Sequence, residues 1–140
     1  MNQPNPNSEA PMVLIVDDDA ESLLLVSTMV EYVGYRPMTA STFAEARALL
    51  DQQPTALVLD LVMPDQTSER ILTLLHETGS KLPVVLISAS LRDQLSIQAL
   101  EQARRGINVV STLAKPFWVD VLVTALEQAM PELPTDAIAN

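Results

Sequence analysis

Five short apolar runs, separated by segments with helical spacing, constrain the fold of this chain more than any other feature. Four of the runs are rich in Val, Leu and Ile, as expected for strands that are buried on both faces of a sheet. The second run contains Arg36 and Pro37, which is typical of an edge strand. The runs are residues 12–16, 35–40, 56–59, 82–87 and 109–113.

The segments between the runs repeat apolar residues every three or four positions, which predicts amphipathic helices. The second of them opens with the pattern of a capping box, from Thr42 to Glu45. The predicted helices are residues 20–33, residues 42–50, a third that ends near Gly79, a fourth around residues 95–103 that ends at Gly106, and residues 117–130. The residues expected to point inward are Leu23, Val26, Val30 and Val33 in the first helix and Val121, Leu122, Ala125 and Leu126 in the last.

Strands that alternate with helices predict an α/β fold with a parallel sheet covered on both faces. With right-handed crossovers this becomes a doubly wound, flavodoxin-like (βα)5 sheet in the order 2-1-3-4-5. Residues 1–11 are rich in Asn and Pro and are expected to be a disordered leader, and residues 12–130 form the domain. Residues 131–140 are polar again, as in a tail or linker.

Composition excludes several classes of function. The net charge of -10 argues against direct nucleic-acid binding, because phosphate backbones need clustered Lys and Arg. The absence of Cys excludes disulfides and thiolate metal sites. No apolar stretch is long enough to span a membrane and no secretion signal is evident, so we expect a soluble, cytoplasmic protein.

Polar residues stand where four of the five predicted strands end. They are Asp17, Asp18 and Asp19 after the first strand, Asp60 after the third, Ser88 after the fourth and Lys115 after the fifth. Because the carboxyl ends of parallel strands meet at one edge, we expect these groups to converge. Close carboxylates need a cation between them, and a set of hard oxygen ligands suits Mg²⁺. A nearby lysine and hydroxyl would complement a phosphoryl group carried by one of the carboxylates.

Each of these residues also has a simpler explanation. The three aspartates after the first strand could cap the following helix, and Asp60 could be a turn residue. Ser88 and Lys115 could be ordinary loop and surface residues. Convergence of all of them favours a functional site. His76, the only histidine, is expected to be an ordinary surface residue, and Trp118 a partly buried packing residue near the site.

Three segments resemble the motifs of response-regulator receiver domains. They are Val-Asp-Asp-Asp at 16–19, Asp-Leu-Val-Met-Pro at 60–64 and Lys-Pro-Phe at 115–117, in the family's order and at nearly its spacing. The resemblance covers residues 12 to about 130. It implies that Asp60 is the phosphoacceptor, and that Asp18, Asp60 and the backbone carbonyl of Val62 bind Mg²⁺ directly, with Asp17 acting mainly through water.

The resemblance also assigns the remaining groups of the site and shows departures from the family. Ser88 takes the position of the hydroxyl that bonds the phosphoryl group, where Thr is more usual. Lys115 takes that of the phosphate-contacting lysine, with a cis peptide before Pro116. Ser68 stands where Gly is common, so the loop there is expected to differ. Thr112 stands where an aromatic switch residue is frequent, which puts the usual relay of the signal in doubt.

The main hypothesis is therefore a receiver that takes a phosphoryl group from a sensor histidine kinase or phosphotransfer protein. It would signal to an output domain or partner. Self-phosphorylation and autodephosphorylation would be its only chemistry. Residues 106–115 are similar to receivers that precede EAL-type cyclic-di-GMP phosphodiesterase domains, and a homodimer is an open option. One rival is a phosphorylation-independent interaction module, a pseudo-receiver. A second is a hydrolase, which is disfavoured because Val62 stands where a second acid would be needed.

Overall fold

The computed structural model describes residues 10–89, 101 and 106–130, and these residues form an α/β fold around one parallel sheet. Its strands are β1 (Met12–Val16), β2 (Arg36–Ala40), β3 (Ala56–Asp60), β4 (Val84–Ser88) and β5 (Val109–Ala114). All neighbouring strands pair in parallel, in the order β2-β1-β3-β4-β5, which confirms the predicted topology.

The described helices cover the two faces of the sheet. They are α1 (Ala20–Tyr32), α2 (Phe43–Leu50), α3 (Thr67–Glu77) and a C-terminal helix (Val119–Ala129), with a single 3-10 turn at Pro64–Gln66 before α3. Apart from residue 101, the fourth helix predicted around residues 95–103 lies outside the described residues, as do residues 1–9 of the predicted leader and the predicted tail, 131–140. Within the described part of the chain, no helix combines the length and apolar character that a membrane span requires.

The core has two layers because the central strands are buried on both faces. Every residue of β1, β3 and β4 is buried. On one face, side chains such as Leu57 pack with Ile71 of α3 and with α2. On the other face, side chains such as Val58 pack with Val26 of α1 and with the C-terminal helix. Burial on both faces explains why these strands appear in the sequence as continuous apolar runs.

Side-chain caps mark the starts of α1 and α2. The Asp19 carboxylate accepts from the Glu21 N–H at 3.3 Å and so caps α1. Thr42 Oγ1 accepts from the Glu45 N–H at 3.2 Å, as the predicted capping box requires. The reciprocal bond differs by one residue, since Glu45 Oε1 accepts from the Ser41 N–H at 2.8 Å. The Ser41 hydroxyl donates to the same oxygen at 3.0 Å, and the two hydrogen bonds from Ser41 lower the pKa of the Glu45 carboxyl group.

Helix packing confirms the predicted inward positions except one. Val26 and Val30 of α1 are buried, and Leu23 and Val33 are half-buried and pack against the same core. In the C-terminal helix, Val121 is 40% exposed and its predicted inward position was wrong. The buried positions of that helix are Leu122, Ala125, Leu126 and Ala129. Their three- and four-residue spacing defines the buried stripe, and Val121 lies beside it.

Candidate functional site

Three carboxylates meet at the carboxyl edge of the sheet, as the sequence predicted. Asp17 and Asp18 follow β1, and Asp60 is the last residue of β3. The last residue of β1, Val16, pairs with Leu59, so the next residues along the two strands are also neighbours. Carboxylate oxygens of Asp17, Asp18 and Asp60 all lie within 4.8 Å of one another. Asp17 and Asp60 are buried, and Asp18 is exposed to solvent.

Lys115 reaches this cluster from the end of β5. Its Nζ lies 2.7 Å from Asp17 Oδ2 and 3.1 Å from Asp60 Oδ2. The third ammonium hydrogen can go to Ser22 Oγ, which lies 3.2 Å from Nζ. The Lys115 backbone N–H donates to the Ser88 carbonyl at 2.8 Å, and the peptide before Pro116 is cis, as the resemblance implied. The lysine is therefore held in contact with two of the three carboxylates.

The charges of the cluster shift the proton affinities of Asp60 and Lys115. Burial raises the pKa of the Asp60 carboxyl group, and the neighbouring Asp17 carboxylate adds to that rise. Burial alone would lower the pKa of Lys115, but its hydrogen bond to Asp17 and the charges of Asp60 and Asp17 outweigh this effect and raise it. Lys115 therefore stays protonated at neutral pH.

The donor set fits a hard divalent cation. Oxygen ligands about 2.1 Å from a shared Mg²⁺ ion lie about 3–4 Å apart, so carboxylate oxygens within 4.8 Å of one another need only a small adjustment. Three carboxylates against one ammonium also leave excess negative charge at this edge. Asp17, Asp18 and Asp60 are thus the described residues that could hold such an ion. The contribution of the Val62 carbonyl stays a prediction.

Asp60 is tied to the loop that follows it at two points. The Val62 N–H donates to Asp60 Oδ1 at 3.0 Å. The hydroxyl of Ser68, in the first turn of α3, donates to the backbone carbonyl of Asp60. Between them, Asp65 and Gln66 have left-handed backbone conformations, with φ of 58° and 54°. Ser68, which departs from the family pattern, thus contacts Asp60 directly.

Ser88 and Thr112 lie on the β4–β5 side of the edge. Ser88 ends β4, is completely buried and pairs with Ala114, directly before Lys115. Thr112 lies within β5, is half-buried and pairs with Leu86. The structure therefore places Ser88 at the same sheet edge as Lys115, while the role of its hydroxyl toward a phosphoryl group stays a prediction.

Two further expectations about single residues have opposite outcomes. His76 is exposed, as predicted for a surface residue. Trp118 is 81% exposed, so its predicted partial burial was wrong. It stands at the N-terminal boundary of the C-terminal helix, before the first residue of the buried stripe, and its indole projects into solvent rather than into the core.

Sequence reasoning missed two residues that contact the site. Ser22 accepts from Lys115 and donates to Asp19 Oδ2 at 3.0 Å. Its position three residues after a helix cap was a usable signal for the Asp19 contact. In the sequence, Ser68 stands out only as a departure from the family pattern. No pattern in the sequence connects it to the carbonyl of Asp60, because that contact depends on how α3 packs against β3.

Comparisons with known proteins identify a family for this chain. The family model of the response regulator receiver domain matches residues 13–127. The transcriptional regulatory protein PrrA of Mycobacterium tuberculosis is 30% identical over 119 residues, which are 84% of this chain and 49% of PrrA. This chain therefore spans about half the length of such a relative.

Solved structures share the fold over nearly their whole length. The non-phosphorylated HemR receiver domain from Leptospira biflexa has a TM-score of 0.71 and 24% identity, covering 88% of this chain and 95% of that one. The beryllofluoride-activated NtrC4 receiver domain dimer has a TM-score of 0.70 and 27% identity, covering 86% and 97%. The doubly wound sheet, with acidic residues and a lysine at its carboxyl edge, has the fold of these receiver domains. The chain belongs to the response regulator receiver family.

Proposed function

We propose that Asp60 is the phosphoacceptor of this receiver domain and that its phosphoryl donor is a phosphohistidine on a sensor kinase or phosphotransfer protein. The observation that carries the proposal is the contact of one ammonium group with two carboxylates, since Lys115 Nζ lies 2.7 Å from Asp17 and 3.1 Å from Asp60. This arrangement supplies a nucleophilic carboxylate and a fixed positive charge next to it.

In the proposed transfer, an Asp60 carboxylate oxygen attacks phosphorus, the P–O bond forms, and the P–N bond to the donor imidazole breaks. The electron pair of that bond returns to the imidazole nitrogen, which then takes up a proton. Lys115, kept protonated by its acidic neighbours, would turn toward the phosphoryl oxygens, and the Ser88 hydroxyl would donate to one of them.

Asp17, Asp18 and Asp60 would hold Mg²⁺, which supplies neutralising charge for the phosphoryl oxygens when it is bound. Without the cation, excess negative charge at this edge would oppose the approach of a phosphoryl donor. Removal of divalent cations with EDTA is therefore expected to abolish phosphorylation.

The test uses the protein with Mg²⁺ and a small phosphodonor such as phosphoramidate, followed by intact-mass measurement. The expected result is a mass gain of one phosphoryl group that Asp60→Asn lacks. Asp51→Asn is the matched control, because Asp51 is an exposed aspartate at the end of α2 and removes the same charge outside the site. It should be phosphorylated like the wild type.

Other outcomes would point to the rival functions. No mass gain in the wild type would refute the proposal and favour the pseudo-receiver, in which the fold serves protein interaction alone. Rapid turnover of varied phosphoesters would favour a hydrolase. We expect neither, and propose that self-phosphorylation and autodephosphorylation are the only reactions of the domain.

We also propose a cytoplasmic location, where a kinase and an output can be reached. The output would be a further domain or a partner protein, and an EAL-type cyclic-di-GMP phosphodiesterase stays the specific prediction. Because the NtrC4 receiver forms a dimer in its beryllofluoride-activated state, a phosphorylation-dependent homodimer is a related proposal. Analytical ultracentrifugation with and without beryllofluoride tests it, and an unchanged monomer would exclude it.

A further inference from the structure

Ser68 is a buried hydroxyl that contacts the acceptor residue from another element of the fold. It lies in the first turn of α3, is 0% exposed, and donates its hydroxyl hydrogen to the backbone carbonyl of Asp60. The two residues are eight positions apart, on either side of the loop that leads from β3 to α3. The bond therefore closes this loop directly onto the residue that carries the candidate reactive carboxylate.

The Ser68 bond adds to one backbone restraint at the start of the loop, because the Leu61 N–H donates to the Ile87 carbonyl at 2.8 Å. Asp65 and Gln66 both have positive φ, a conformation that side chains other than Gly adopt at a cost. In the same loop, the Val62 N–H orients the Asp60 carboxylate through its 3.0 Å bond to Oδ1. The Asp60–Leu61 peptide is thus held at both its N–H and its carbonyl. Without the Ser68 bond only the Leu61 N–H would hold it, so the peptide would be freer to tilt and the bond from the Val62 N–H would weaken.

We infer that Ser68 is a positioning residue for the Asp60 carboxylate. It acts through the backbone carbonyl of Asp60 and, by fixing the start of the loop, through the Val62 N–H. It does not touch the reacting atoms. The consequence for phosphoryl transfer rests on the function proposed above, whereas the consequence for the Val62 hydrogen bond concerns the protein without any ligand.

The chain offers a matched control in the adjacent residue. Thr67 is also buried in the first turn of α3, and its hydroxyl donates to the Pro64 carbonyl at 2.8 Å, within the same loop. Ser68→Ala and Thr67→Val each remove one hydroxyl bond to a loop carbonyl and leave the apolar part of the side chain in place. They differ in which carbonyl is released, that of Asp60 or that of Pro64.

The experiment measures the exchange rate of the Val62 amide proton by NMR in the metal-free protein, and the phosphorylation rate with phosphoramidate and Mg²⁺. For Ser68→Ala we expect exchange about three- to tenfold faster and phosphorylation about tenfold slower. Thr67→Val should match the wild type in both measurements. Circular dichroism confirms that both variants are folded.

Each outcome decides the inference. Faster Val62 exchange in Ser68→Ala alone supports it, even if the wild type proves not to be phosphorylated, in which case only the proposed function fails. Unchanged exchange in Ser68→Ala overturns it. Equal effects of the two variants also overturn it, because the hydroxyl bonds would then stabilise the loop without a specific effect on Asp60.

Discussion

The Asp60 carboxylate is buried beside two other carboxylates, and replacing it with Asn should stabilise the metal-free protein. Carboxylate oxygens of the three residues lie within 4.8 Å of one another. At an effective dielectric constant of about 20, two unit charges at this separation repel by at least about 3 kcal/mol. The Lys115 ammonium, at 3.1 Å, attracts Asp60 by about 5 kcal/mol on the same scale.

The repulsion from Asp17 and Asp18 therefore nearly cancels the attraction of Lys115, after some screening of the exposed Asp18. What remains is the cost of removing the Asp60 charge from water, since this residue is only 8% exposed. Asn keeps the size of the side chain and an oxygen for the Val62 N–H. We expect the free energy of unfolding to rise by about 1–2 kcal/mol and the melting temperature by about 5 °C.

Urea unfolding followed by circular dichroism in EDTA measures this difference, with Asp51→Asn as the control that should change stability by less than about 0.5 kcal/mol. Mg²⁺ at ten times its dissociation constant should stabilise the wild type by about 1.4 kcal/mol and so reduce the difference in stability between Asp60→Asn and the wild type. A less stable Asp60→Asn in EDTA would refute the reasoning, because Asp60 would then be a net stabilising charge.

The pH dependence of the same comparison follows from the direction of the pKa shift. The pKa of Asp60 is raised by burial and by the Asp17 charge, so the folded protein binds this proton more tightly than the unfolded chain. Stability contributed by this group therefore increases as the pH falls through its folded-state pKa. The increase is complete only below the unfolded-state pKa, where Asp60 is neutral like Asn in both states and the advantage of the variant should disappear.

Two further variants test contacts outside the carboxylate cluster. Ser22→Ala removes one neutral partner of the Lys115 ammonium, and the rate of phosphorylation should fall about threefold. Ser22→Thr keeps the hydroxyl and should retain the rate. An unchanged rate in Ser22→Ala would show that this bond does not hold the lysine. Thr42→Ala removes the cap of α2 and should lower the free energy of unfolding, measured in urea, by about 1 kcal/mol. Thr42→Ser keeps the hydroxyl and should lower it little. Equal decreases in the two variants would contradict the capping role.

The sequence predicted most of the fold because burial in this sheet is simple. β1, β3 and β4 are buried along their whole length, and an apolar run is the direct signature of that environment. The wrong predictions concern helix residues whose burial depends on which face of the helix they occupy. Val121 and Trp118 are apolar residues at the start of a helix, and whether such a residue faces the core depends on the helix phase.

The sequence predicted which residues come together at the site, but not the contacts that position them. Strand order alone brings Asp17 and Asp60 together, so a topology argument sufficed. The hydroxyl contacts of Ser22 and Ser68 depend on the rotation of α1 and α3 against the sheet, which no spacing in the sequence encodes. Side-chain contacts between elements that do not pair through backbone hydrogen bonds are therefore not predictable from the sequence pattern.

Stability and chemistry are assigned to different residues of the same strands. In β1 and β3 the change from apolar to acidic occurs within a single residue, at Val16 and Asp17 and at Leu59 and Asp60. Because Val16 pairs with Leu59, the two changes coincide in space and the charges collect at one edge, while the pairs before them stay in the core. The buried part of the sheet can thus tolerate mutually repelling carboxylates at its end, and the same repulsion is what a cation and Lys115 would neutralise. Replacing Asp60 with a neutral residue would make this edge more stable, but it would remove the nucleophile on which the proposed phosphoryl transfer depends.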